Sequence, residues 1–230
     1  MHDSNRDQLM EAAKVLRPLL GELVFVGGCV TGLLITDKAA GDPRSTLDVD
    51  AIAEITSYAQ YAEFGERLRA LGFSEDTSEG APLCRWVHRH TILDVMPLDE
   101  KILGFSNRWY KAAMESSMLK RLSTTLAIRV VTAPLFIATK LEAFRGRGMG
   151  DFLGSHDMED LIAVIDGRAA LLTEVRRERE PLRAYLQAEV RKLLATRGFL
   201  DALPGYLLPD AASQSRIDVV LERLEGLATN

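Results

Sequence analysis

Cysteine is scarce. Cys29 and Cys84 are the only two in 230 residues, which gives neither a disulfide framework nor a thiolate metal site. Long apolar runs are missing as well. The densest stretch, 128–139, is broken by Arg129 and Pro134 and falls short of the roughly 18 residues a membrane span needs. No membrane role is therefore expected. The opening MHDSNRDQ is polar and acidic, not basic and then apolar, so a secretory leader is not expected and the reading is cytoplasmic. There is no internal repeat and no low-complexity tract. Basic charge is also short, with 28 Lys and Arg against 33 Asp and Glu for a net −5, which argues against nonspecific nucleic-acid binding. What remains is 47% hydrophobic and 27% charged, the composition of a folded domain with a real core.

The charge is unevenly placed. Residues 1–100 hold 9 basic and 17 acidic side chains, whereas 101–150 hold 9 basic and only 2 acidic. Such a division suits a cleft that takes a polyanion together with its cations, or simply basic helices in water.

Apolar spacing predicts a helix over 8–20, stopped by Gly21, and another over 57–71, closed by Gly72. Leu23–Val26 reads as a buried strand that enters Gly27-Gly28, with a short helix over 30–35 after it. Strands are expected over 47–53, 83–87, 91–96 and 126–131, with a hairpin about Arg89-His90. A helix is expected over 108–119. Helices over 135–144 and 157–165, a helical stretch over 169–197 and a last helix over 213–227 complete the chain. The expected architecture is α+β: a mixed sheet flanked by helices over 1–132, then a helical C-terminal region over 133–230.

Three features carry chemistry. Gly27 and Gly28 end a strand before a helix, where backbone N–H groups can hold phosphate oxygens; an ordinary turn looks the same in sequence. Asp48 and Asp50 alternate along a strand and share one face. Two such carboxylates repel unless a cation lies between them, though a D-x-D on a solvated strand is also common. Asp94 is a single charge inside Ile92–Met96, a third carboxylate if its strand neighbours the first two and otherwise an outward-pointing edge residue. One nearby basic side chain cannot neutralise three carboxylates, whereas two divalent ions can.

The run Gly27-Gly28-x-x-Thr31, then Arg44-Ser45-Thr46-Leu47-Asp48-Val49-Asp50, with Asp94 following, resembles the nucleotidyltransferase superfamily of DNA polymerase β type. More narrowly it resembles the AbiEii-like nucleotidyltransferases, often the toxin halves of toxin–antitoxin pairs. The stretch Lys140–Arg147 and the D-x-x-D-L of Asp157–Leu161 are similar to that family's lysine helix and following acidic segment. The likeness spans roughly 23–165. His156 stands where relatives commonly carry Lys or Arg.

The resemblance implies transfer of a nucleoside monophosphate from an NTP to an acceptor hydroxyl, with Mg²⁺ or Mn²⁺ as cofactor. It implies Asp48, Asp50 and Asp94 as metal ligands and, with Lys140, as catalytic residues. Gly27, Gly28, Thr31, Arg44, Lys140 and Asp157 would meet the nucleotide. An RNA, a protein or a small molecule fits as acceptor, and an antitoxin protein as partner. The competing expectation is a catalytically inactive nucleotidyltransferase-fold protein that binds or regulates. Read from the residues alone, Lys140 on its apolar helix either meets an anion or snorkels to water. Asp157 and Asp160, sharing a face, either orient Lys140 or Arg145 or cap their helix.

Overall fold

The computed structural model describes residues 4–148 and 150–229. The strands are β1 (Leu23–Val26), β2 (Asp48–Ala53), β3 (Ser74–Glu75), β4 (Arg85–His88), β5 (Thr91–Met96), β6 (Met118–Arg121) and β7 (Ala127–Val130). The helices of the first half are α1 (Ser4–Val15), α2 (Thr31–Leu34), α3 (Tyr58–Ala70), α4 (Glu100–Leu103) and α5 (Tyr110–Glu115). Then come α6 (Ala133–Arg147), α7 (His156–Gly167), α8 (Leu171–Arg177) and α9 (Leu182–Leu194), followed by α10 (Arg197–Ala202), α11 (Ala211–Gln214) and α12 (Ile217–Thr229). No described helix is long and apolar enough to cross a membrane.

The chain forms two compact units. One holds residues 1–30 and 45–132, the other 31–44 and 133–230. Segment 31–44, which carries Thr31 and Arg44, thus belongs with the helical unit.

The first unit is built on a seven-stranded sheet in the order β3-β4-β5-β2-β1-β7-β6. It is mixed: β2 runs parallel to β5 and β1 parallel to β7, while the remaining pairs are antiparallel. All four residues of β1 are buried, as expected for a central strand covered on both faces. β2 alternates at its start, with Val49 buried and Asp48 and Asp50 partly exposed. Leu9, Ala12 and Ala13 of α1 and Phe64 and Leu68 of α3 lie in this unit's core, which gives those helices the apolar stripe read from the sequence. α3 starts where the Ser57 side chain caps the Gln60 N–H.

The expected hairpin is present. His88 pairs with Thr91 across a two-residue turn in which Arg89 takes φ +55°, a left-handed conformation tolerated in tight turns. The expected helix over 108–119 is shorter: α5 ends at Glu115 and β6 begins three residues later as an edge strand.

The second unit centres on α6. Its residues 133–141 are buried on every side, so α6 is the hub on which α7, α8 and α9 pack, with α12 covering α7 and α9. Ser155 caps the Met158 N–H and starts α7. The helical stretch expected over 169–197 is two helices, separated before Leu182 by Pro181.

Candidate active site

Strand register settles the spatial question posed by the sequence. In the pairing of β2 with β5, Asp50 lies directly beside Asp94 and Asp48 beside Ile92. Directly paired residues project to the same face, and so do alternate residues of one strand. Asp48, Asp50 and Asp94 therefore share one face of the sheet.

The same register extends the row in both directions. On one side β1 places Val26 against Asp50, and Gly27 follows. Gly27 takes φ +70°, and a Cβ there would come within 1.8 Å of Asp50 Oδ2. This glycine is required twice: for its left-handed backbone, and for the room it gives the Asp50 carboxylate. Gly28 and Cys29 continue into a buried 3₁₀ turn, where the Cys29 thiol donates to the Val26 carbonyl at 3.1 Å.

On the other side β4 places Arg85 against Asp94. Arg85 Nε donates to Asp94 Oδ1 at 2.8 Å, and Nη2 donates to Asp94 Oδ2 at 2.8 Å and to Asp48 Oδ2 at 2.9 Å. The other Asp48 oxygen accepts the Thr46 hydroxyl at 2.7 Å. Arg85 had no place among the expected site residues. The signal was nevertheless present: a two-residue turn at Arg89-His90 pairs His88 with Thr91 and so, three residues along each strand, Arg85 with Asp94.

Asp94 is 6% exposed, and both of its oxygens accept from Arg85. Donating to the Asp94 carboxylate raises the Arg85 pKa above its already high ordinary value, with the Asp48 charge adding to it. Neighbouring Cys84 reports the local potential. Burial first, then the charges of Asp94 and Asp50, push its thiol up to about 12, so it stays protonated at neutral pH.

This arrangement tests the metal implied by the resemblance. The donors are right in kind, hard carboxylate oxygens. They are engaged, however: both oxygens of Asp94 and one of Asp48 are held by Arg85, and the other Asp48 oxygen by Thr46. Among the described residues no three His, Cys, Asp or Glu side chains form a group that could hold a metal ion. As placed, these residues do not fit a divalent ion.

The remaining expected residues lie in the helical unit. Lys140 is buried on α6, and its Nζ donates to Asp160 Oδ2 at 2.6 Å and to Asp157 Oδ1 at 3.2 Å. Arg44 grips both Asp160 oxygens at 3.0 and 3.1 Å. Arg147 donates Nε to Asp157 Oδ2 and Nη2 to Oδ1, each at 3.0 Å. The shared face of Asp157 and Asp160 thus orients Lys140, while Arg145 faces Glu142 and Glu189. Burial works to raise the Asp157 pKa, but the Arg147 hydrogen bonds and the Lys140 charge outweigh it and hold the carboxyl below its ordinary range. Thr31 is fully buried at the start of α2, with its hydroxyl making no hydrogen bond among the described residues. His156 is exposed beside Glu159.

No protein-family model and no curated protein sequence matches the chain. Solved structures do. An antigenic nucleotidyltransferase-like protein from Paracoccidioides brasiliensis is similar over 87% of this chain and 93% of its own, with 17% identity and a TM-score of 0.53. JHP933 from Helicobacter pylori is similar over 96% of this chain and 92% of its own, with 10% identity and a TM-score of 0.46. The first similarity shows the fold: an α+β, nucleotidyltransferase-like mixed sheet flanked by helices, with a helical C-terminal region.

Proposed function

We propose that this chain is a nucleotidyltransferase that moves a nucleoside monophosphate from an NTP to an acceptor hydroxyl. The observation that supports it most is the carboxylate row: Asp48, Asp50 and Asp94, from two strands far apart in sequence, on one face beside the Gly27-Gly28 turn. Structural packing alone gives no reason to gather three carboxylates, because their repulsion costs stability.

The row also states what a nucleotide must bring. The row gathers three carboxylates, and negative charge of that kind repels a triphosphate. The proposed substrate therefore arrives with positive charge, and Mg²⁺ or Mn²⁺ is the cofactor this reading needs. In the transfer the acceptor oxygen forms a bond to the α-phosphorus. The bond from that phosphorus to the β-bridging oxygen breaks, and pyrophosphate leaves. Asp94 is the proposed acceptor of the hydroxyl proton, and Asp50, held against Gly27, fixes the floor of the row. The acceptor is an RNA, a protein or a small molecule. The resemblance to AbiEii-like toxins extends the proposal to an antitoxin partner, which growth arrest on expression and its relief by a neighbouring small protein would test.

The direct experiment is incubation with labelled NTPs, divalent metal and cell lysate, wild type against Asp50→Asn. Transfer by wild type and a loss of at least about 100-fold in a folded Asp50→Asn support the reading. Equal labelling by both, or by neither, counts against it. Arg85 favours a second reading, a nucleotidyltransferase-fold protein that binds or regulates without turnover, because it occupies the oxygens that catalysis would use. Nucleotide binding by a wild type that transfers nothing would select this second reading.

A further inference from the structure

The sequence leads one to expect a metal among three carboxylates, and an arginine stands there. We propose that Arg85 is a resident counter-ion that closes the Asp48–Asp50–Asp94 row to free divalent cations.

The geometry is specific. Nη2 of Arg85 lies 2.9 Å from Asp48 Oδ2 and 2.8 Å from Asp94 Oδ2, between two carboxylates that a bridging ion would have to share. Nε takes the second oxygen of Asp94 at 2.8 Å, so the planar fork holds that carboxylate at both ends. An ion bound at about 2.1 Å would need the same oxygens, and the guanidinium and the ion cannot both have them.

Three physical terms favour the arginine over a free ion. It is tethered by the β4–β5 pairing, so its effective concentration at the row is high. A guanidinium is weakly hydrated, whereas Mg²⁺ gives up water reluctantly. Leaving would also strand the charge of Asp94, which is 6% exposed. The latch still has an exit, because the Arg85 side chain is 22% exposed and can turn to solvent. A ligand that offers Arg85 another anion, as a triphosphate does, would release it. The inference rests on the nucleotidyltransferase reading only in naming the ion that is kept out.

The test uses Mn²⁺ alone, without nucleotide, counted by electron paramagnetic resonance. The samples are the full-length wild type, Arg85→Gln and the double variant Arg85→Gln/Asp94→Asn, each checked for folding by circular dichroism. Arg85→Gln is expected to bind Mn²⁺ at least about tenfold more tightly than wild type, and the gain is expected to vanish in the double variant. Wild type binding Mn²⁺ as tightly as Arg85→Gln would overturn the proposal. So would a folded Arg85→Gln with no gain, or a gain that survives Asp94→Asn. If Arg85→Gln does not fold, Arg85→Lys serves: one ammonium cannot fork across Asp94, so a smaller gain is expected and no gain refutes. Failure of wild type to bind Mn²⁺ and NTP together would sink the nucleotidyltransferase reading and leave the Arg85 result standing.

Discussion

Two ion networks in this chain are assembled from the same parts in opposite proportions. On the sheet, Asp48 and Asp94 share the guanidinium of Arg85, with Asp50 in register beside Asp94. In the helical unit, Asp157 and Asp160 share the ammonium of Lys140 and the guanidiniums of Arg44 and Arg147. The first has acid in excess and the second has base. The first opens to solvent through Asp48, whereas Asp157, Asp160 and Lys140 are all buried. An excess of partly exposed acid carries a repulsion that an arriving cation would relieve. A buried lysine between two carboxylates is a joint that ties α6 to α7. Neutralising an acid should therefore damage the helical network and spare the sheet network.

The largest effect is expected at Asp160. It is 1% exposed and accepts from both Lys140 and Arg44. Asp160→Asn takes a buried carboxylate from both Lys140 and Arg44, and breaking a buried pair on one side costs about 3–5 kcal/mol. Urea unfolding measures this directly. A loss no greater than that of an exposed substitution would erase the contrast between the two networks.

A smaller effect appears with pH. The Asp157 carboxyl is held below its ordinary range, so it binds protons less readily folded than unfolded. Its contribution to stability is complete above the unfolded value of about 3.9 and is lost as pH falls through the folded value. The stability gap between wild type and Asp157→Asn should thus be constant near neutrality and shrink on acidification below about pH 4. A gap that widens on acidification would mean that burial outweighs Arg147 and Lys140 at this carboxyl.

Much of this was legible in the residues. The strand of Leu23–Val26, the alternation of Asp48 and Asp50, the hairpin at Arg89-His90 and the helices about Lys140 and Asp157 all follow from period, turn chemistry and capping. β6 was not legible, because an edge strand buries little. Leu119 is 70% exposed, so no apolar alternation marks it and the run continues the helical pattern before it. Two-residue β3 leaves even less trace. The placement of 31–44 with the helical unit rests on contacts such as the Thr36 N–H to the Gly167 carbonyl at 2.8 Å and Arg216 to Asp37 at 2.8 Å. Those partners lie more than a hundred residues apart, beyond any local pattern. Arg85 is a different kind of miss. Its strand and its turn were read correctly, but the pairing they dictate was not followed through to the residue opposite Asp94.

The smallest effect is the most diagnostic. Asp50 is the third acid of the row, beside the Asp94 and Asp48 that Arg85 and Thr46 hold. Its carboxylate is pressed against Gly27 and paired in register with Asp94. Asp50→Asn keeps the shape, keeps one oxygen, and removes one of the row's three negative charges. Without metal, the melting temperature should stay level or rise, with the change in stability within about 0.5 kcal/mol of zero or favourable. At the helical network the same chemical change is expected to be costly. If Asp50→Asn instead unfolds the protein as Asp160→Asn should, the sheet acids are structural and the row has no charge to spare for a ligand. If it is neutral to folding, the fold does not depend on this carboxylate, as the proposed function needs of an acid kept for a ligand.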